Sequence, residues 1–263
     1  MRAFASALAI SLALAPVAAG AAPERVASLN LCTDELLLSL ARPEQVASVT
    51  HLAHKEAETP LWRQASAYPS NDGSLLSIVG SKPDLVVTMG GGARDRVRIA
   101  GRLGLRVLDL PYPMTLRDME RNIALTAVAL GRREAGKRLL VSIGRLKRSA
   151  PRQSLDTIWL GGGGRTVDPA GLTAEWMRLA GLGQRALPGD QVSLEQLIAS
   201  PPAILLRSDY RSDQYSGEQR WLGHSLARAA GKARTIRTDG RRWTCMGPPL
   251  ISEVQRLRRA LGS

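Results

Sequence analysis

The sequence is poor in phenylalanine, and it has no apolar segment long enough to cross a membrane as a helix. Phe4 is the single phenylalanine, so the chain beyond residue 22 takes its aromatic rings from Trp and Tyr alone. The longest largely apolar segment, residues 3–15, is shorter than the roughly 20 residues that a membrane-spanning helix requires. A membrane-anchored protein is therefore not expected.

Residues 1–22 have the arrangement of a secretory signal peptide. Arg2 precedes the apolar segment, and small residues follow it at positions 19–22. No cysteine stands at the expected cleavage point, so a lipid anchor is not expected. We expect a soluble protein of the periplasm. About 240 residues remain after cleavage, enough for one large or two modest domains.

The chain is strongly basic, with a formal net charge of +13. Nearly all of its basic residues are arginines, which suit planar contacts to carboxylates, phosphates or aromatic faces. The arginines are spread along the whole chain, and the leader predicts export, so nucleic acid is not the expected partner. The charge indicates either a solvated basic surface or a preference for an acidic ligand, and both interpretations stay open.

The first half alternates between strand and helix patterns, which predicts α/β architecture with a largely parallel sheet. In the opening unit, Thr33 and Asp34 offer side-chain oxygens to the start of a helix, and Glu35 adds negative charge to its first turn. The predicted strands are residues 26–31, 45–50, 84–89 and 106–110. The predicted helices between the later strands are residues 74–81 and 93–103.

Two helices follow, over residues 116–130 and 132–149, and the α/β pattern then returns. The second of these helices has no strand on either side, so it is either a surface helix or a rigid connector. The later strands are predicted at residues 157–160, 203–207 and 234–238. The later helices are predicted at residues 172–180, 194–199, 217–230 and 250–261. Two α/β lobes joined by one helix is the most economical architecture.

Several motifs together resemble the periplasmic binding proteins of cobalamin- and iron-siderophore-type ABC importers. They are SLNLCTDELL, SIVGSKPDLVVTMGGG, GGGGRTVDPAGL, VSLEQLIASPPAILL and WTCMGPP. The resemblance implies two Rossmann-like lobes with a ligand cleft between them and little hinge closure. Residues 23–131 would form one lobe, 132–149 the connecting helix and 150–263 the other lobe.

The resemblance also implies a function. A monomeric binding protein would deliver a metal chelate, either a ferric siderophore or a corrinoid, to the permease of an ABC importer. It would hold no resident cofactor or metal ion. No catalytic residues are expected, because the sequence lacks GxSxG and a recognisable Ser, His and Asp set at strand ends. A haem or free-metal carrier and a secreted α/β enzyme remain the alternatives.

Ligands of open α/β sheets bind beyond the carboxyl ends of the strands, which supplies the candidate ligand-binding residues. The glycines would let the backbone approach a ligand, the aromatic rings would stack on it, and the arginines would meet its carboxylate or phosphate groups. An ordinary tight turn is the alternative for the glycines, and an exposed turn for Arg165. The candidates are Thr33, His51, Met89, Gly91, Gly92, Tyr112, Arg165, Tyr210, Arg211 and Trp243.

The two cysteines, Cys32 and Cys245, are candidates for a disulfide, since an exported chain with two cysteines usually pairs them. In the architecture that the resemblance implies, they would lie at the inner rims of opposite lobes. A bond there would limit opening of the cleft. Two buried thiols, or a thiolate that contacts a metal complex, are the alternatives.

His51 and His54 stand three residues apart, with Glu56 and Glu58 close by, a spacing that could indicate a metal site. The pattern lacks a clear third ligand, so His51 is interpreted instead as a cleft contact.

Glu195 matches the position where the resemblance implies a glutamate that meets arginines of the permease. Such charge pairs guide orientation and encounter rate more than affinity. The corresponding position in the first lobe is Leu76, so the identity of the partner permease stays open.

Overall fold

The computed structural model of this chain contains two parallel β-sheets flanked by helices. It describes residues 22–90, 94–210, 224–225 and 233–262. We call the part up to residue 131 the first lobe and the part from residue 150 the second lobe. Among the described helices, none is both long and apolar enough to cross a bilayer. The signal peptide predicted for residues 1–22 and the helix predicted for 217–230 lie wholly or mostly outside the described residues.

The first lobe contains a five-stranded sheet with the order β3-β2-β1-β4-β5, in which every neighbouring pair is parallel. Its strands are β1 (Val26–Ser28), β2 (Val46–Thr50), β3 (Ser70–Asn71), β4 (Leu85–Met89) and β5 (Arg106–Leu110). Its helices are α1 (Leu31–Leu40), α2 (Trp62–Ala65), α3 (Leu75–Ile78) and α4 (Arg94–Arg102). Parallel pairing brings the carboxyl ends of all five strands to one edge.

The second lobe contains a four-stranded parallel sheet with the order β7-β6-β8-β9. Its strands are β6 (Leu155–Leu160), β7 (Leu182–Gln184), β8 (Ile204–Ser208) and β9 (Arg234–Thr238). Its helices are α7 (Leu172–Leu179), α8 (Leu194–Ala199) and α9 (Pro249–Leu261). Short 3-10 turns occupy Gly162–Gly164, Pro188–Asp190 and Gly240–Trp243.

Helix α1 begins one turn earlier than its sequence suggests, and this corrects the predicted cap. Asn30 is the N-cap, and its side-chain oxygen accepts a 2.8 Å hydrogen bond from the N–H of Cys32. Thr33 instead donates its hydroxyl to the carbonyl of Asn30 at 2.9 Å. Asp34 accepts hydrogen bonds from the N–H and the hydroxyl of Thr50. Thr33 and Asp34 therefore tie α1 to the sheet instead of capping the helix.

The two lobes are connected by α5 (Leu116–Ala129) and α6 (Arg133–Arg148), which pack as an antiparallel hairpin. Gly131 turns the chain between them with a φ of +66°, a conformation that favours glycine. Gly136 allows the helices to approach closely, since a Cβ there would overlap the side chain of Ala127. Helix α6, the predicted helix without flanking strands, thus packs along α5 and precedes the strands of the second sheet.

A continuous apolar core extends from the first sheet through the hairpin into the second lobe. Leu37 and Ile123 are fully buried in the first half of this core, and Ile143, Trp176 and Leu257 are fully buried in the second half. Because a close-packed interior resists shear, the two lobes are held as one packed body on the side of the hairpin.

Candidate ligand cleft between the lobes

A disulfide bond joins the two lobes where their sheet edges meet. Cys32 lies in the first turn of α1, directly after β1, and Cys245 follows the turn that ends β9. Their sulfurs are bonded, and their Cα atoms are 5.0 Å apart. The two segments that follow the carboxyl ends of β1 and β9 are therefore joined at one point between the lobes.

The loop after β2 contacts the loops after β8 and β9. The hydroxyl of Tyr210 donates a 2.8 Å hydrogen bond to Oε2 of Glu58, which is buried. Nearby, Nη1 of Arg241 donates to the backbone carbonyl of Glu56 at 2.8 Å. Gly240 sits so close to Tyr210 that an added Cβ would lie 2.7 Å from its backbone nitrogen. These contacts close one side of the space between the lobes.

The start of α5 makes a further contact between the lobes. Its first-turn N–H, from Leu116, donates to a carboxylate oxygen of Glu175 on α7. Thr115 caps the same helix, with its hydroxyl accepting from the N–H of Asp118 at 3.1 Å. An acidic side chain at a helix N-terminus is favourable, because the free N–H groups there carry partial positive charge. The second lobe thus supplies part of the cap of a first-lobe helix.

Two buried carboxyl groups lie beside the disulfide, on α1. Oε1 of Glu35 accepts a 2.6 Å hydrogen bond from the hydroxyl of Thr59, while its Oε2 is buried without a hydrogen-bond partner. Burial raises the pKa of Glu35 to about 7, and the nearby charge of Asp34 adds to this. Burial also raises the pKa of Asp34 to about 6, against the opposing effect of its hydrogen bonds. Both carboxyls therefore take up protons near neutral pH.

A polar cavity of about 620 Å³ lies at the carboxyl end of β9, the edge strand of the second sheet. Asp239 accepts hydrogen bonds from Arg241 at 2.8 and 3.0 Å, and Arg242 approaches it to 3.4 Å. Burial opposes ionisation of Asp239, but the hydrogen bonds and charges of the two arginines hold its pKa below the ordinary value. The lining residues are Glu56, Ala57, Asp209, Arg237, Thr238, Asp239, Arg241 and Arg256.

Several predicted ligand contacts of the first lobe lie together at its sheet edge. Met89 is half-buried and pairs with Leu110 in the register of β4 and β5. Gly90 follows with a φ of +106° and donates its N–H to the carbonyl of Leu110 at 3.0 Å. Tyr112, two residues beyond β5, is 58% exposed. This edge therefore offers a thioether, an open backbone segment and a phenol.

Three of the predicted ligand contacts cannot be placed. Gly91, Gly92 and Arg211 lie outside the described residues.

His51, directly after β2, is exposed, and its backbone N–H donates to the carbonyl of Asn71 at 2.7 Å. His51 is thus available at the sheet edge.

Thr33 and Trp243 differ from their predicted roles as ligand contacts. Thr33 is fully buried, and its hydroxyl lies 2.7 Å from that of Ser28. Trp243 is only 5% exposed, because its ring packs against Trp159 with centroids 4.7 Å apart. Its indole N–H donates to the hydroxyl of Thr238 at 2.8 Å. Thr33 and Trp243 therefore fix loops at the sheet edges, which corrects the expectation that they face a ligand.

Arg165 follows β6 and the Gly162–Gly164 turn, and its side chain is exposed. The backbone of this loop bonds to itself: the N–H of Gly161 donates to the carbonyl of Arg165 at 2.8 Å, and the N–H of Arg165 donates to that of Gly162 at 3.2 Å. These two donors are thus not free to hold a phosphate group. The loop instead presents Arg165 beyond the carboxyl end of a central strand.

The two histidines and two glutamates near residue 54 do not converge. Glu58 pairs with Tyr210, and the carbonyl of Glu56 receives Arg241. Throughout the part of the chain that the structure describes, no three His, Cys, Asp or Glu side chains form a group that could hold a metal ion. Glu56 and Glu58, which follow the HLAH segment, instead contact the second lobe.

Glu195 and Leu76 occupy matching positions on the two lobes. Glu195 is the second residue of α8, and Leu76 is the second residue of α3. The serine before each helix accepts a hydrogen bond from the backbone N–H three residues further along the chain. Glu195 is exposed, and hydrogen bonds of its own N–H and of Ser193 lower its pKa. Leu76 is 84% exposed, an unusual position for a large apolar side chain. One lobe thus presents a charge where the other presents an apolar group.

Sequence reasoning missed the residues that hold the lobes together. Glu175 and Arg241 each bond to residues far away along the chain, and no local pattern distinguishes them from surface charges. The one available signal was the pair of cysteines, since it marks two points that had to meet.

No family model matches the sequence, and no curated protein matches it. Solved structures do match. The haem-binding protein HutB of Vibrio cholerae superposes with a TM-score of 0.68 at 18% identity, covering 91% of this chain and 99% of that one. The apo haem-binding protein RhuT from Roseiflexus sp. RS-1 gives 0.65 at 22% identity, with coverages of 90% and 98%. The vitamin B12 binding protein BtuF of Vibrio cholerae gives 0.62 at 16% identity, with coverages of 91% and 97%.

The chain therefore has the two-lobed α/β fold of the periplasmic binding proteins. The fold class predicted from the alternation of strands and helices is confirmed, and so is the resemblance at the level of the fold. The similar proteins are binding proteins for haem and vitamin B12 by name, and the identities are low enough that they establish the fold alone.

Proposed function

We propose that this protein is a periplasmic binding protein that carries a metal chelate, a ferric siderophore or a corrinoid, to an ABC importer. The observation that carries the proposal is the meeting of two parallel sheet edges, fixed by the bond between Cys32 and Cys245. Crevices beyond the carboxyl ends of parallel strands are where α/β proteins bind ligands. The fold shared with named haem and B12 binding proteins supports this class of ligand.

In this proposal the ligand lies between the lobes formed by residues 23–131 and 150–263, with residues 132–149 as their connector. Met89, the glycines at 90–92 and Tyr112 contact it from the first lobe. Arg165, Tyr210 and Arg211 contact it from the second. The net charge of +13 favours an anionic ligand.

Haem is the second candidate ligand. Tyr112 is exposed at the end of β5, and Met89 lies at the end of the neighbouring strand. Tyrosine, histidine and methionine are the side chains that supply axial ligands to haem iron, and His51 is exposed at the end of β2. The solved structures named above include two haem-binding proteins, which supports a test of haem beside the other chelates.

For delivery, we propose that Glu195 meets basic residues of the permease in the inner membrane. The lowered pKa of Glu195 keeps its carboxylate charged, as electrostatic steering requires. The first lobe would dock through Leu76, an apolar contact, so the partner permease would present unlike surfaces to the two lobes. The protein acts as a monomer in this scheme and performs no catalysis; the similar solved structures are binding proteins.

The experiment is a titration of the purified protein with cobalamin, cobinamide, haem and several ferric siderophores, followed by tryptophan fluorescence with absorbance controls. Saturable binding of one class at micromolar concentration or below supports the proposal and names the ligand. Binding of none of these, or chemical turnover of a candidate, would contradict it and favour the secreted-enzyme alternative.

A pair of tyrosine variants separates haem from the other chelates. If Tyr112 ligates haem iron, Tyr112→Phe changes the visible spectrum of the haem complex, because the phenolate ligand is lost. Tyr68→Phe is the matched control, since Tyr68 is half-buried before β3. Identical spectra for the Tyr112→Phe variant and the unaltered protein would remove Tyr112 as a ligand.

A further inference from the structure

The α5–α6 hairpin has an open apolar groove on its outer face. The groove has a volume of about 440 Å³, and its floor consists of small or aliphatic residues of both helices. Val128 on α5 is 48% exposed, and Val141 on α6 is 41% exposed. A second groove of about 380 Å³ lies along the other side of Val141. The second groove is lined mainly by charged side chains, so the apolar strip consists of the first groove alone, and no described part of the chain covers it.

Unpaired cations flank this strip. Helix α6 carries six basic residues and one acidic residue, Glu134, for a net charge of +5. Lys147 pairs with Glu120 at 2.6 Å. The other five are exposed and have no acidic partner among the described side chains. They are Arg133, Lys137, Arg138, Arg145 and Arg148.

The arrangement of polar groups restricts the chemistry of a partner. The backbone N–H and C=O groups of the two helices are used within the helices, so the floor offers no hydrogen bonds for a peptide backbone. A second copy of this chain would bring the same cations into contact and would be repelled. An apolar floor with point cations on both sides fits a partner that has apolar chains and anionic head groups.

We propose that the outer face of the α5–α6 hairpin binds the surface of a membrane that contains anionic phospholipid. Val128 and Val141 enter the boundary between head groups and acyl chains, and the five cations contact the phosphates. A helix with an apolar strip and a basic polar face lies in the plane of such an interface. The contact tethers the protein at the membrane independently of the ligand cleft.

The test is co-sedimentation of the purified protein with lipid vesicles. One set consists of phosphatidylcholine alone, and the other mixes phosphatidylcholine with phosphatidylglycerol. We expect binding to the anionic vesicles only, weakening as salt is raised, because the cations interact with a negative surface potential. Lys137→Glu/Arg138→Glu should weaken binding by about 10-fold or more.

A matched control separates this surface from the overall charge of the protein. Lys55→Glu/Arg102→Glu makes the same change in net charge at exposed residues outside the hairpin, so it should bind the vesicles almost as well as the unaltered protein. Val141→Gln keeps the charge and removes only apolar contact, and it should weaken binding about threefold. Circular dichroism of each variant checks that the helices are intact.

Equal binding to both kinds of vesicle, no binding to either, or equal losses in the hairpin and control variants would overturn the proposal. The last result would show a diffuse attraction of the whole basic protein. Binding of an acidic protein without any binding of vesicles would likewise assign the groove to a different class of partner.

Discussion

The hydroxyl of Tyr210 in the second lobe donates a 2.8 Å hydrogen bond to the carboxylate of Glu58 in the first. The two residues are 152 positions apart along the chain. Glu58 is buried, so its carboxylate depends on such partners for the solvation that it loses on folding. This hydrogen bond thus joins the two lobes and also helps to offset the cost of burying the carboxyl group of Glu58.

Tyr210→Phe tests this contact. Because it removes a hydrogen bond from a buried carboxyl group, it should lower the free energy of unfolding by about 1–3 kcal/mol, measured by urea denaturation. Tyr68→Phe is the control, since the hydroxyl of Tyr68 makes no hydrogen bond within the described residues. It should change stability by less than about 0.5 kcal/mol. Equal effects of the two substitutions would mean that the contact contributes nothing.

Gly240→Ala should damage the same region by steric overlap. The new methyl group would contact Tyr210 and the hydroxyl of Ser208 more closely than real Cβ atoms do. We expect a loss of about 1–3 kcal/mol in the free energy of unfolding, typical of overpacking. Gly80→Ala is the matched control, because a Cβ there would meet nothing within 4 Å. A loss in both variants would indicate a general effect of replacing glycine.

The disulfide bond determines how the protein reacts with thiol-specific reagents. Denatured but unreduced protein should not react with a thiol-specific dye, whereas reduced protein should label at two sites, Cys32 and Cys245. Cys32→Ala/Cys245→Ala should lower the free energy of unfolding by about 2–5 kcal/mol, since the unfolded chain loses its long-range constraint. Labelling of two thiols without reduction would show that the bond does not form.

Glu35 makes stability depend on pH. Its folded-state pKa of about 7 lies above its ordinary value of 4.5. Between these two pH values, the carboxyl group is protonated in the folded protein and ionised in the unfolded chain. Its contribution to stability is therefore complete below pH 4.5 and is lost as pH rises through 7. Asp34, raised to about 6 from 3.8, acts in the same direction.

Glu35→Gln should remove the part of this dependence that Glu35 causes and leave the part that Asp34 causes. The amide keeps the acceptor for Thr59 and cannot ionise. We expect the variant to exceed the unaltered protein in stability by about 3 kcal/mol at alkaline pH and to match it in acid. Denaturant unfolding on both sides of neutrality measures this difference. If the free energies of unfolding of the two proteins change with pH in the same way, ionisation of Glu35 in the folded state costs no free energy.

Arg165→Ala tests the second-lobe side of the proposed cleft. If Arg165 meets an anionic group of the ligand, the substitution should weaken binding by about 10-fold or more, since a charge-assisted hydrogen bond contributes roughly 1.5–3 kcal/mol. Arg152→Ala, an exposed arginine between α6 and β6, is the control. An unchanged dissociation constant in the Arg165→Ala variant would remove Arg165 from the site.

Elements with strong local signals could be predicted from the sequence. The strand predicted at residues 106–110 is β5 (Arg106–Leu110), and the helix predicted at 194–199 is α8 (Leu194–Ala199). β-Branched and leucine-rich runs between turn residues indicate such strands, and capping serines mark such helices. The α/β fold follows from their alternation, without any information about tertiary contacts.

Elements that depend on distant partners could not be predicted. Strands β3 and β7 have two and three residues, too few for a periodic pattern, and they exist because neighbouring strands pair with them. Trp243 follows a strand end, which suggested a ligand contact, but Trp159 covers it from another strand. The pKa of Glu35 likewise depends in part on the charges of Arg242 and Asp239 in the second lobe. The site was therefore less predictable than the fold, because its residues take their roles from contacts between lobes.

The bond between Cys32 and Cys245 spans 213 positions, so it closes most of the chain into a covalent ring. A protease that cuts the backbone once anywhere within that ring leaves every fragment attached. The cut protein would keep its full mass under non-reducing conditions and would separate into pieces only after a reductant is added. A molecule of this design tolerates a single cleavage in an oxidising compartment without losing either half.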